Sequence, residues 1–211
     1  MTLKKEGNIP FDKIEKELDY LKRNQVAVGF FGSDDSQLLT VVRANEYGAH
    51  IVPKKAKYLW VPSKNAIKRY GKNVRARDVN GLFIPPGKHV ACVEEGGKLV
   101  VYFYLLEESN IPARPFLRKS LEENSSKYGR MIKSGIEGIL YDEKTGKELL
   151  SKLGVTAVAD IRATLTRWTK PGNAPLTIDN KKGQDNPLTD TGMLPKRVTW
   201  KILPIGGSSD E

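Results

Sequence analysis

The run Phe116–Tyr141 constrains this chain most. Phe116, Leu117, Leu121, Tyr128, Met131, Ile132, Ile136, Ile139 and Leu140 fall broadly on one face at helical spacing. At 1.5 Å per residue the predicted helix spans on the order of 35 to 40 Å, long for a small domain. Its start is marked as well: Ile111, Pro112, Ala113, Arg114 and Pro115 break the strand before it, and Pro115 opens the helix. Gly129, Gly135 and Gly138 thin its latter half. A further helical stretch over residues 147–167, interrupted at Gly154, presents Leu149, Leu150, Leu153, Val158, Ile161 and Leu165.

The elements before this helix follow from periodicity. Phe11, Ile14, Leu18 and Leu21 predict an amphipathic helix over 11–23 with one buried stripe. Residues 25–31 read as a strand. A second helix over 36–47, capped by the residues 32–35 and stopped by Gly48, carries Leu38, Leu39 and Val42. Residues 56–61 look like a strand, and 65–71 a short helix or loop. Residues 90–94 and 98–106, joined through Glu95, Gly96 and Gly97, form the clearest β-hairpin, whose second strand is apolar on both faces and so should be central.

Residues 173–200 crowd Pro, Gly, Asn, Asp and Thr together before a strand whose face is Val198, Trp200 and Ile202. Thr189, Asp190 or Thr191 can cap a short helical turn holding Met193 and Leu194, with Gly192 easing the bend and Pro195 limiting the turn. The fold class expected is α+β: a mixed or antiparallel sheet packed by an N-terminal helix and long central helices, with a capped turn and strand at the C-terminus. The organisation expected is one domain over 1–205 with a basic insertion at about 49–110, and a disordered tail over 206–211.

The net charge of +10 is unevenly spread. Between His50 and Lys88 ten Lys or Arg face the single acid Asp78. The basic patch is Lys54, Lys55, Lys57, Lys64, Lys68, Arg69, Lys72, Arg75 and Arg77, which could meet phosphates or an acidic protein surface, or form a solvated loop face. A lone Cys92 excludes an internal disulfide. No run approaches the roughly 18 apolar residues of a membrane span, so a cytoplasmic place and no membrane partner are expected.

No catalytic or metal-binding constellation is legible. His50 and His89 lack ligand spacing, and no phosphate-loop, dinucleotide or nucleophile-elbow motif occurs. Asp190, Thr191 and Gly192 form the tripeptide of aspartic proteases, a chemistry that needs two carboxylates sharing a proton. Only one copy is present, and Thr189 and Met193 are unsuited to its flanks, which favours the capping role. The expectation is a protein that is not an enzyme and uses no cofactor.

Three stretches together resemble one family, the tail-completion or virion-morphogenesis proteins of tailed bacteriophages, Mu-like ones included. They are Ala44, Asn45, Glu46, Tyr47, Gly48; then Ile111, Pro112, Ala113, Arg114, Pro115, Phe116, Leu117, Arg118; then Pro187, Leu188, Thr189, Asp190, Thr191, Gly192, Met193, Leu194. Residues 49–110 intervene between the first two, where shorter relatives bring them close. The resemblance implies a structural α+β virion protein at the head-tail neck or tail end, assembled in the host cytoplasm. It implies a ring of like subunits, often a hexamer, with tail-tube or tail-terminator and head-tail connector proteins as partners. Contact with packaged DNA follows if the ring surrounds the DNA path. Arg114, Pro115, Phe116, Leu117, Leu188, Asp190, Thr191, Gly192 and Leu194 are then the subunit-contact or fold motif, and a nucleic-acid-binding module using residues 54–77 is the alternative.

Overall fold

The computed structural model describes residues 11–32, 36–181, 185–189 and 192–206. In chain order the elements are α1 (Phe11–Arg23), β1 (Asn24–Gly29), α2 (Ser36–Tyr47), β2 (Ala49–Ile51), β3 (Leu59–Pro62) and α3 (Lys64–Tyr70). After a 3-10 turn at Ala76–Asp78 come β4 (Val90–Glu95), β5 (Lys98–Leu106), β6 (Ser109–Ile111), α4 (Phe116–Tyr141) and α5 (Gly146–Arg167). The chain ends with α6 (Pro175–Asn180), α7 (Met193–Arg197) and β7 (Thr199–Pro204). The fold is α+β, and every strand pairing among the described residues is antiparallel.

The strands make three small sheets, β1–β7, β2–β6 and β3–β5–β4, rather than one. The β1–β7 and β2–β6 sheets each pair segments whose intervening chain folds elsewhere, and β2 and β6 are only three residues long. The chain forms two compact units. One takes Met1–Val42, Pro115–Trp168 and Thr191–Glu211; the other takes Arg43–Arg114 and Thr169–Asp190. The sequence reading has one domain with an inserted segment at 49–110; the second unit is that segment together with residues on either side of it and residues 169–190 from far along the chain.

In the first unit α4 packs on α5, and α5 covers the face of the β1–β7 ribbon. The register places Val26 opposite Ile202 and Val28 opposite Trp200, so the apolar alternation of both strands reaches the same face. Phe116, Ile139, Leu165 and Val198 are fully buried there. The stripe expected of α1 is not fully buried: Phe11 is 76% exposed, and Ile14, Leu18 and Leu21 are half-buried. Each helix of the α4–α5 pair has a local reason to start where it does. Pro115 precedes α4, while Thr145 and Glu148 form a reciprocal capping box on α5: the Glu148 N–H donates to Thr145 Oγ1 at 3.2 Å and the Thr145 N–H to Glu148 Oε2 at 2.9 Å.

Gly154 does not interrupt α5. The helix runs through it because the residue is where α5 meets Trp200: a Cβ there would stand 2.5 Å from the indole. Sequence spacing reads a glycine as a breaker, yet here it supplies room.

In the second unit β5 is the central strand of its sheet, as its two apolar faces require. Gly96 and Gly97 both take positive φ, 58° and 75°, which a two-residue turn matching the twist of the hairpin demands. The core is Ala66, Val74, Val79, Ala91, Tyr102 and Phe103. Ser63 fixes α3 to that sheet, accepting from the Ala66 N–H and donating to the Val101 carbonyl at 2.7 Å. Gly48 closes α2 with φ 79°, and its missing side chain lets the Ile111 carbonyl approach; a Cβ would be 3.0 Å from that oxygen.

Two further expectations change. Residues 173–188 contain α6, with Pro175 in its first turn, where its lack of an N–H is harmless. Pro195 sits inside α7 rather than ending it, for the same first-turn reason. Of the expected tail over 206–211 only Gly206 is described; residues 207–211 and the caps at Ser33, Asp34 and Asp35 lie outside the described residues.

Candidate functional site

The most developed polar constellation centres on Arg114, which is 5% exposed. Its guanidinium donates from Nε to the Pro171 carbonyl at 3.0 Å, from Nη1 to Asn45 Oδ1 at 3.0 Å and from Nη2 to the Gly172 carbonyl at 2.6 Å. Its backbone N–H donates to the Asn45 carbonyl. Burial pulls the guanidinium below its ordinary value, and the Asp185 carboxylate opposes that pull. Asp185 also accepts from the Asn173 N–H at 2.8 Å. One planar fork thus ties the end of α2, the residues after β6 and the loop before α6, all in the second unit. This is a clasp whose donors are committed within the fold.

Two motif stretches far apart in sequence therefore meet through Asn45 and Arg114. Within the first stretch Glu46 is buried at 2% exposure while Tyr47 is 68% exposed. In the first unit Phe116 is fully buried and meets Phe30 edge to face, ring centroids 6.2 Å apart. Pro115 and Leu117 are half-buried.

Leu117 also lines a mainly apolar cleft of about 370 Å³ between β1, α4 and α5, with Val26, Val28, Leu121, Leu153 and Ile161. Ser120 lies in its wall, 1% exposed, and its hydroxyl makes no hydrogen bond of normal geometry although it is close enough to Tyr128 to influence the phenol. Beside it Lys127 Nζ donates to both Asp160 oxygens at 2.7 Å, and Tyr128 Oη donates to Asp160 Oδ2 at 3.0 Å. Burial, then the bond to Asp160, holds the Tyr128 phenol well above its ordinary range. The group locks α4 to α5.

Of the C-terminal motif, Asp190 and Thr191 lie outside the described residues. Leu188 is buried at 3% exposure in the second unit, within a turn in which the Thr189 N–H donates to the Asn186 carbonyl at 3.2 Å. Gly192 and Leu194 belong to the first unit. Gly192 itself occupies the cap position of α7 with φ 70°, in the left-handed region, so no side chain at that position caps the helix.

The nine residues of the basic patch, Lys54, Lys55, Lys57, Lys64, Lys68, Arg69, Lys72, Arg75 and Arg77, are all exposed. Arg69 is engaged with the Glu95 carboxylate, which also accepts from Tyr102 Oη at 2.6 Å. That bond to Glu95 raises the Tyr102 phenol, and the hydrogen bond to Tyr102 raises Arg69.

Elsewhere, His50 lies 3.3 Å from Glu108, and His89 stacks edge to face on Tyr58. Among the described residues no group of three His, Cys, Asp or Glu is placed to hold a metal ion, and no helix is long and apolar enough to cross a membrane. The capping box was legible as T-x-x-E at Thr145 to Glu148, and α6 as a Pro in a first turn; the Asp160 cluster had no local signal, since its members sit on two helices.

Comparison with protein-family models, with curated proteins and with solved structures gives no match for this chain.

Proposed function

We propose that this chain is a structural virion component of a tailed bacteriophage or phage-like particle. It stands at the head-tail neck or tail end, completes the tail and joins it to the connector as a ring of like subunits. The observation that carries the reading is the placement of the three motif stretches that resemble tail-completion proteins. The chain passes between its units at 42/43, 114/115, 168/169 and 190/191; all but 168/169 lie beside or within those stretches, and Asn45 of the first bonds Arg114 of the second. Residues matched for separate short resemblances are thus joined in one fold.

Ring formation needs surface for neighbours. In the first unit Leu121, Ile132 and Val155 are 60%, 41% and 57% exposed on α4 and α5, and Leu121 borders the apolar cleft. Association of like subunits would cover such side chains. The test is the mass of the purified protein by light scattering, with negative-stain images of the same fraction, alone and mixed with purified tail tubes or connectors. A ring of defined subunit number, free or on a partner, is expected. A protein that stays monomeric in every mixture overturns the ring.

A further inference from the structure

We propose that the second unit binds double-stranded DNA through its phosphate backbone, without reading sequence, on the face formed by residues 54–77. The inference stands whether or not the protein assembles into a ring.

Residues 54–77 hold nine Lys or Arg and no Asp or Glu. A charge run of this kind is commonly a solvated loop, but here it is part of a folded surface. Ala66 and Val74 within the segment are buried in the core, as is Val79 just beyond it, and Ser63 bonds α3 to β5. Lys64, Lys68, Arg69, Lys72, Arg75 and Arg77 are thereby displayed from a fixed frame, Lys54, Lys55 and Lys57 lie in the bends just before β3, and all nine are exposed. Little ordering is left to be lost on binding.

The nearby acids are already engaged. Glu95 holds Arg69 and Tyr102. Asp78 accepts from the Arg75 N–H at 2.8 Å and lies 3.9 Å from Arg77 Nε, and Asp179 is 3.9 Å from Lys64. No described carboxylate lies within ion-pair distance of Lys54, Lys55, Lys57 or Lys68. The field of this face is therefore not neutralised from within.

Which polyanion fits follows from the residue types. Arg69 and Arg77, two of the three planar forks suited to discrete carboxylates, are turned to the chain's own acids. Apart from Arg75, the cations left over are lysines, point charges on flexible stems that attract without fixed geometry. A protein surface offers scattered carboxylates, whereas a duplex offers a continuous line of charge, one per about 1.7 Å of axis. A single-sign face dominated by lysine matches the second.

The experiment is fluorescence anisotropy with two labelled duplexes of unrelated sequence, on the full chain and on a variant carrying Lys54→Gln, Lys55→Gln, Lys57→Gln and Lys68→Gln. Binding of both duplexes should agree within about two-fold, and log affinity should fall linearly with log salt between about 50 and 200 mM, by about 0.9 per phosphate neutralised. In the variant that slope should shrink by about 2 to 4, with affinity at about 100 mM salt down at least ten-fold. An unchanged circular dichroism spectrum would tie the loss to charge. Absence of binding at the lowest salt, or a variant with the parent's slope, overturns the proposal. So does tighter binding of poly-glutamate than of DNA by the same face, which would assign it to an acidic protein. Ring formation is read by mass, so the failure of either proposal is seen separately.

Discussion

Arg114→Met destabilises the second unit by on the order of 3 kcal/mol, because it removes a buried charged donor that makes three hydrogen bonds. The Pro171 and Gly172 carbonyls and Asn45 Oδ1 all take their bonds from one guanidinium that is 5% exposed. Methionine fills much of the space of the stem but offers no donor. A hydrogen bond to a charged group contributes about 1.5 to 3 kcal/mol, and water can reach the exposed Pro171 and the half-buried Gly172 and Asn45, which keeps the total below the sum. Arg114→Lys should fall between the two, since an ammonium keeps the charge but cannot span three acceptors in a plane. Urea unfolding followed by circular dichroism checks both. A loss below about 0.5 kcal/mol for Arg114→Met, the range of ordinary surface changes, would refute the clasp.

Gly154→Ala is the second large effect, and its sign runs against helix propensity. An alanine in the middle of a helix normally gains about 1 kcal/mol over glycine. At this position the new Cβ would stand 2.5 Å from one atom of the Trp200 ring and 2.6 Å from another. The indole is a rigid plate held in the β1–β7 ribbon, not a flexible chain end, so α5 or β7 must shift. Overpacking of this kind costs about 1 to 3 kcal/mol, and the net is a loss. Gly129→Ala in α4, where nothing lies within 4 Å of the added carbon, should instead stabilise by about 0.5 to 1 kcal/mol. Trp200→Leu should destabilise alone yet lessen the cost of Gly154→Ala when the two are combined. If Gly154→Ala behaves like Gly129→Ala, the contact between α5 and Trp200 is not as described.

These two sites show what the sequence carried and what it left hidden. α1, α2 and α4 have the bounds that periodicity and proline predicted, and β5 is central for the reason its two apolar faces suggested. Those signals are local. Gly154 was misread because the same residue type marks a helix end or a close approach, and only the partner, Trp200, distinguishes them. Arg114 could be singled out from its motif, but its acceptors are backbone carbonyls of residues 171 and 172 and an amide at 45, which no pattern announces. The Asp160, Lys127 and Tyr128 group needed the pairing of α4 with α5 before it could be seen. The division into two units depends on residues 169–190 returning to a segment some sixty positions earlier, a long-range fact that composition does not encode. For the basic patch, sequence supplied the charge and the structure supplied the frame that displays it.

The proposed joining of tails to heads is tested most directly by deleting the gene from the genome that carries it and inducing particle production. Electron microscopy of the lysate should show complete heads and complete tails lying apart, with infectivity restored when the protein is supplied from a plasmid and not when Arg114→Met is supplied. Joined particles at the parental titre in the deletion strain would contradict the account.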